Sequence, residues 1–255
     1  MQSGIYIAVS GAKLQELRLD ITANNLANVN TSGYKADKVV ASPFETELGM
    51  LINESETLPA PLTGEPVSPY DIAYAQTMKV GTSFSQGNMQ VTGNPLNAAL
   101  EGPGFFAVDT PNGIRYTRQG NFALDQDGRL ITSDGFPVRG KGLSGLSAGD
   151  ITIDINGNVM IDNQPQGSLE IVEFDDPAKL KKEGHNLFVA PPDAAPRTKA
   201  GQTTVHQGTL EMSNVTIVTE MVTMIELNRM YQAYQKMITS IDECTGRLIE
   251  SVASA

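Results

Sequence analysis

The sequence has few of the residues that build disulfides and metal sites. Of its 255 residues one is cysteine, two are histidine and none is tryptophan. The single cysteine, Cys244, excludes an intrachain disulfide and a thiolate metal cluster, so we expect it to act as a small apolar residue. His185 and His206 have no cysteine or acidic residue at a familiar ligand spacing. We therefore predict no metal site and no cofactor.

Long apolar runs and a charged leader are missing as well. The sequence has no stretch of about 18 apolar residues that could cross a bilayer. Its first residues, Met1 to Ile5, lack the basic region and the apolar core of a secretory signal peptide. We expect a chain that does not span a membrane and that, if it acts outside the cytosol, is exported without a cleavable signal peptide.

Positive charge is scarce in the middle of the chain. The net charge is −11, but residues 1–42 carry four basic and three acidic residues, and residues 214–255 carry three and five. The two ends are thus nearly neutral, and most of the acidity lies between them. An acidic middle argues against nucleic acid or an anionic membrane surface as a partner.

Catalytic motifs are absent or incomplete. The segment from Gly135 to Gly142 is similar to a phosphate-binding loop, but glycine follows Lys141 where that loop needs Ser or Thr. The run from Asp125 to Gly128 begins like a calcium loop, but Phe136 stands where the twelfth-position Glu is required. Both segments are predicted to be turns. We predict that the protein is not an enzyme.

The sequence does contain a long amphipathic helix near its C-terminus. The pattern predicts a helix from Ser213 to Val252, with Asn214 as N-cap, on the order of 58 Å long. Such a helix is longer than one compact domain needs. One face repeats at spacings of three and four residues, which is typical of a helix that packs on another helix. We call this face the seam: Met224, Leu227, Tyr231, Tyr234, Ile238, Ile241, Thr245, Leu248 and Val252.

A second helix is predicted over residues 3–28, with Ser3 as N-cap. Small residues at Ala8, Gly11 and Ala12 would allow another helix to approach closely. Three asparagines near its end could simply terminate the helix, which the residues alone favour, or could offer amides to an adjacent helix. The predicted apolar stripe is Ile5, Ala8, Val9, Ala12, Leu19, Ala23 and Leu26, and the asparagines are Asn24, Asn25 and Asn28.

The middle of the chain consists of two segments that differ in composition and in hydrophobic pattern. Residues 36–79 are rich in Glu and Pro and predict an extended connector. From Val80 to about His206, short apolar runs alternate with hairpin turns, which predicts an antiparallel barrel or sandwich. Within it, residues 122–134 and 151–163 share one pattern, which is a strand, an Asp, a turn with Gly, a second strand and a polar turn. The predicted strands lie at 105–108, 114–117, 122–124, 130–132, 151–153, 159–161, 169–172 and 187–189.

Several motifs resemble the flagellar basal-body rod and hook family of axial proteins. They are Ala23–Asn28 with Thr31–Lys35, Gly102–Phe106 with Tyr116–Phe122, and Leu210–Val215. Two further segments, Thr92–Leu96 and Gly135–Gly140, are more similar to the proximal-rod type, protein F, than to the distal-rod type, protein G. The resemblance implies a structural subunit that is exported unfolded through the flagellar type III export apparatus and polymerises in the periplasm into the torque-transmitting rod.

These observations predict an α+β chain with long terminal helices in a coiled-coil domain and a β-rich body. The predicted domains are 1–35 with 208–255, the connector 36–79 and the body 80–207. Expected partners are other copies and neighbouring rod proteins; the alternatives are a distal-rod or hook-type protein, a cell-wall-cleaving β enzyme using Asp125 and Asp127, and a free binding module. The predicted assembly interface is Ile5, Ala12, Leu19, Asn24, Asn25, Leu26, Asn28, Asn214, Met221, Met224, Tyr231, Tyr234, Ile238, Ile241 and Leu248.

Overall fold

A computed structural model of the protein describes residues 2–42, 77–146, 151–192, 194, 196, 201 and 203–253. Within this part of the chain a helix lies near each end, and antiparallel strands lie between them, which confirms the α+β class. The chain divides into two compact units. One comprises Met1–Asn24, Asp37–Gly81 and Val218–Ala255, and the other comprises Asn25–Ala36 and Thr82–Ile217.

The first unit contains most of both helices. Helix α1 is Gln2–Ala27 and helix α2 is Ile217–Ala253. Two strands, β1 (Asp37–Ser42) and β2 (Thr77–Thr82), form a two-stranded sheet. These strands lie at the two ends of the predicted connector, whose residues 43–76 are outside the described residues.

Both predicted N-caps are wrong. Helix α1 already includes Ser3, because it begins at Gln2, and helix α2 begins at Ile217, three residues beyond Asn214. The side chain of Asn214 has other partners. Its Oδ1 accepts the Ala36 backbone N–H at 2.8 Å, and its Nδ2 donates to the Ser83 carbonyl at 2.8 Å. Asn214 therefore joins three segments of the chain instead of capping a helix.

The second unit is the β body, whose two larger sheets are both antiparallel. The five-stranded sheet has the order β13-β5-β6-β15-β14 and the four-stranded sheet β10-β11-β12-β9, while β16 pairs with β4, β17 with β3 and β7 with β8. The strands are β3 Met89–Val91, β4 Ala98–Glu101, β5 Gly104–Thr110, β6 Gly113–Thr117, β7 Ala123–Leu124, β8 Leu130–Ile131, β9 Gly140–Lys141, β10 Ile151–Ile153, β11 Asn158–Ile161, β12 Gln164–Leu169, β13 Ile171–Glu173, β14 Lys181–Gly184, β15 Leu187–Val189, β16 Thr204–Gln207 and β17 Thr209–Glu211.

Strand β5 is the centre of the body because both of its faces are buried. Phe106 and Val108 point into a core that also holds Ile153 and Val159 of the four-stranded sheet. Phe105, on the opposite face, packs in a second core. Both larger sheets are open and share the first core, so the body is a sandwich rather than a closed barrel.

The two similar units predicted from the sequence are similar hairpins. In each, one aspartate Oδ1 accepts two backbone N–H groups of the turn: Asp125 from Asp127 and Arg129, and Asp154 from Asn156 and Asn158. The predicted strand at 169–172 is divided between two strands, because the chain changes sheets at Glu170, between β12 and β13. The core strand β4 and its partner β16 were not predicted at all.

Candidate functional site

The seam is the covered side of helix α2. Leu227 is 6% exposed, whereas most residues between the seam positions are exposed. Cys244, which the sequence suggested would act as a small apolar residue, is exposed beside the seam. The side chains of Leu248 and Val252 lie outside the described residues. The half-buried members of the seam are Met224, Tyr231, Tyr234, Ile238, Ile241 and Thr245.

Helix α1 contacts the seam at Gly11. A Cβ atom added there would lie 2.5 Å from Cε1 and 2.6 Å from Cζ of Tyr234, so any residue other than glycine would have to displace the ring. This contact agrees with the prediction that small residues in α1 admit a neighbouring helix.

The stripe predicted on α1 is only partly correct. Ala23 is exposed. Apart from Asn25 near the end of the helix, the most buried of the described side chains of α1 are Ala8, Gln15 and Thr22, which recur every seven residues and lie on the same side of the helix as Gly11. Gln15 and Thr22 are polar, and neither belongs to the predicted stripe. Four predicted interface residues are half-buried: Ile5, Ala12, Leu19 and Leu26.

The three asparagines at the end of α1 have different surroundings. Asn25 is buried, and its Oδ1 accepts the Tyr34 hydroxyl at 3.0 Å. The Oδ1 of Asn28 accepts the Thr31 hydroxyl at 3.2 Å, and the Thr31 N–H donates to the Asn28 carbonyl at 3.1 Å. Asn24 is exposed. Asn25 and Asn28 therefore shape the helix end and the turn that follows it.

A buried cluster of charges lies just beyond that turn, and sequence reasoning missed it. Lys35 Nζ lies 2.6 Å from Glu211 Oε1, and Arg118 Nη1 lies 3.5 Å from Glu211 Oε2; the three side chains are between 0% and 3% exposed. The Gly87 N–H donates to the same Oε1 at 2.9 Å. We call Lys35, Arg118 and Glu211 the neck cluster. It brings together segments that lie far apart in the sequence, so no local spacing could have predicted it.

Because the neck cluster is buried, its two positive charges depend on the negative charge of Glu211. Burial lowers the pKa of Lys35 and that of Arg118, and in each case the Glu211 carboxylate opposes the shift. Lys35 also donates to the Ser85 carbonyl at 2.9 Å, and Arg118 donates to the Gly102 carbonyl at 2.6 Å. Because one carboxylate compensates two buried cations, loss of Glu211 would leave both without a counterion.

The residues of the enzyme alternative have structural partners. The carboxylate of Asp125 holds its own turn, as described above, and Asp127 is exposed beside Arg129. His206 contacts Glu101 at 2.7 Å, and His185 lies 3.4 Å from Asp134. In the described part of the chain no group of three or more His, Cys, Asp or Glu side chains could hold a metal ion.

In the described part of the chain, no helix is both long and apolar enough to cross a bilayer.

Comparison with known proteins gives consistent matches along the chain. Residues 5–35 match the family model for the flagella basal body rod protein, residues 99–167 the flagellar hook protein FlgE/F/G D1 domain, and residues 206–250 the flagellar basal body rod FlgEFG protein C-terminal. These models cover the Asn-rich end of α1, much of the β body and most of α2.

Relatives of two kinds match over nearly their whole length. The flagellar basal-body rod protein FlgG of Borreliella burgdorferi is 35% identical over 96% of this chain and 97% of its own. The flagellar basal-body rod protein FlgF of Caulobacter vibrioides is 31% identical over 98% of both chains. FlgG of Bacillus subtilis is also 31% identical over 98% of both chains. The chain belongs to the flagellar basal-body rod protein family, whose members are structural proteins and not enzymes.

Proposed function

We propose that this protein is a self-assembling subunit of the rod and that α1 and α2 pair as a coiled coil that drives the assembly. The observation that carries the proposal is the one-sided burial of the seam, with Gly11 of α1 against Tyr234. Spacings of three and four residues along a covered face are those of helix-on-helix packing.

The two helices run antiparallel in this proposal. Gly11 and Tyr234 are nearly equidistant from the end of α1 at Ala27 and from the start of α2 at Ile217. A small core of Tyr34, Ala36 and Val215 brings the chain just after α1 close to the chain just before α2. The helices therefore begin their pairing at the same end.

An antiparallel pair of this kind leaves part of α2 without a partner in its own chain. Helix α1 has 26 residues and α2 has 37, so α2 extends beyond the start of α1 by roughly 15 Å at 1.5 Å per residue. Other subunits would cover this extension and the rest of the interface. The proposed interface keeps the residues predicted from the sequence, and Asn25 and Asn28 fix the helix end.

Contacts between unlike faces that do not close into a ring generate a helical tube. In this proposal the tube transmits torque as a drive shaft. The subunit would pass through the flagellar type III export apparatus and would polymerise in the periplasm, next to other rod proteins. The motifs at Thr92–Leu96 and Gly135–Gly140 favour the proximal rod, although relatives of both rod types match at similar identity.

Neighbouring residues of α2 allow a matched test. Ile238 is half-buried on the seam, and Met237 beside it is 52% exposed. We expect Ile238→Asp to abolish rod assembly and motility, because it places a charge in the helix interface, and Met237→Asp to leave both largely intact. Basal bodies isolated from cells that produce only the variant provide the measurement. Normal rods with Ile238→Asp would refute the proposal.

A further inference from the structure

Helix α2 has a second apolar face, on the side away from the seam. Val218, Met221, Val222 and Ile225 are 71%, 50%, 51% and 55% exposed. At 100° per residue these four side chains lie within one broad stripe that is opposite the seam. We call them the outer patch. Large apolar side chains clustered in this way on one face are typical of an interaction surface.

The outer patch is followed by positive charge on the same face. Arg229 and Lys236 are both exposed and are seven residues apart, so they lie on one line along the helix. Reading from the N-terminus of α2, this face is therefore apolar first and basic afterwards. A partner that fits it needs an apolar or small surface next to negative charge.

Helix α1 presents a face of that kind. Glu16, Asp20, Ala23 and Ala27 are exposed and follow one another at spacings of four, three and four residues. Along the chain this face carries first two acidic side chains and then two alanines. The small alanine side chains allow close approach of a neighbouring helix. Its charges are opposite to those of the α2 face.

We propose that the face of α2 from Ile225 to Lys236 in one copy packs on the Glu16–Ala27 face of α1 in a second copy. The two helices are antiparallel, and the other three residues of the outer patch extend past Ala27, the end of α1. Ile225 to Lys236 and Glu16 to Ala27 both span eleven residues, which is about 16.5 Å of helix. Lys236 can therefore lie beside Glu16 while Ile225 lies over Ala27. This inference rests on the proposed function and names the partner surface within the assembly.

The two faces differ, so the contact is heterologous. Each copy offers its outer patch to one neighbour and its acidic α1 face to another, while the seam remains available for pairing within the chain. Repetition of such a contact extends an assembly and does not stop at a dimer.

Cross-linking in assembled basal bodies tests the inference. In cells that lack their own copy, two variants are produced together in a Cys244→Ser background, one with Ala27→Cys and a tag and the other with Ile225→Cys. Because each chain has one cysteine, a disulfide between them can form only between copies. We expect a linked pair after mild oxidation. Replacing Ile225→Cys by Met237→Cys, on another side of α2, should reduce the linked pair about tenfold or more, since disulfides need Cβ atoms close together.

Charge exchange gives a second readout that does not depend on cysteine variants assembling. Glu16→Lys or Lys236→Glu alone should reduce the amount of assembled chain severalfold, and the double variant should restore it. Assembled rods without the linked pair, or a double variant no better than the single ones, would overturn the inference. If Ile238→Asp also assembles normally, the proposed function fails with it; if Ile238→Asp blocks assembly, only the outer-patch contact is wrong.

Discussion

Gly11 of α1 lies against the ring of Tyr234 of α2 so closely that no side chain larger than hydrogen fits without displacing the ring. Glycine inside a helix costs about 1 kcal/mol relative to alanine. The helix therefore gives up intrinsic stability at the point where the second helix is nearest. This relationship yields the first prediction.

Gly11→Leu should impair rod assembly even though leucine is a much better helix former than glycine. The added side chain overlaps the Tyr234 ring and forces the helices apart. Lys13→Leu, at an exposed position of α1, is the matched control and should assemble. Adding Tyr234→Ala to Gly11→Leu should recover part of the motility, because it removes the ring. Normal motility with Gly11→Leu alone would contradict the close contact.

Glu211→Gln should strongly destabilise the protein. It removes the only carboxylate within the neck cluster and leaves Lys35 and Arg118 buried without a counterion, so the free energy of unfolding should fall by about 3–5 kcal/mol. Urea denaturation of the purified chain provides the measurement. Glu183→Gln breaks the exposed pair with Arg115 and should change stability little. Similar losses in the two variants would argue against a special role for the neck cluster.

Gly33→Ala should cost more than the same change at Gly93. Both glycines have positive φ, +68° and +73°, but a Cβ on Gly33 would stand 2.5 Å from backbone atoms of Arg118 and Gln119, whereas Gly93 has nothing within 4 Å. Gly93→Ala should cost about 1–2 kcal/mol from the left-handed conformation alone. Gly33→Ala should add about 1–3 kcal/mol from overlap with backbone that cannot move freely. Thermal unfolding measures both, and equal shifts would disprove the close approach.

Asp154 should contribute stability that depends on pH. Burial alone would raise its pKa, but hydrogen bonds from Asn158 and Asn156 outweigh that effect and hold the pKa of Asp154 below its ordinary value. A carboxyl with a depressed pKa stabilises the folded state above its unfolded pKa, and the contribution is lost as pH falls through the folded pKa.

The comparison of wild type with Asp154→Asn measures this contribution. The wild type should be more stable near neutral pH by about 0.5–1 kcal/mol, a small value because the site is largely exposed. The difference should shrink towards zero in acid, well below the ordinary aspartate pKa. Asp127→Asn, at an exposed carboxylate, is the control and should show little difference at any pH. A difference that does not change with pH would show that the turn does not depend on the charge of Asp154.

The sequence predicted those features that repeat with a regular period. The covered face of α2 follows the apolar residues at three- and four-residue spacing, and the hairpins follow the glycine-containing turns after Asp125 and Asp154. Features that depend on distant segments were missed or misplaced. Asn214 is a good N-cap by type, but its side chain bonds to two other segments of the chain, at Ala36 and Ser83.

The neck cluster and the buried face of α1 had no usable signal in the sequence. Lys35, Arg118 and Glu211 are ordinary surface residues by composition and become buried only because the fold brings them together. Gln15 and Thr22 lie on the covered side of α1 although leucines nearby are more apolar, because their seven-residue spacing from Ala8 places them there. Packing between elements that are distant in the sequence determines which of these residues are buried.

The part of the β body between Thr92 and Gly208 begins and ends at one place. Strand β3 pairs with β17, with Met89 opposite Glu211 and Val91 opposite Thr209, and the N–H groups of Thr92 and Gly93 both donate to the Gly208 carbonyl. Because its two ends are adjacent, this part of the chain can be lengthened or shortened with little disturbance to the residues before and after it.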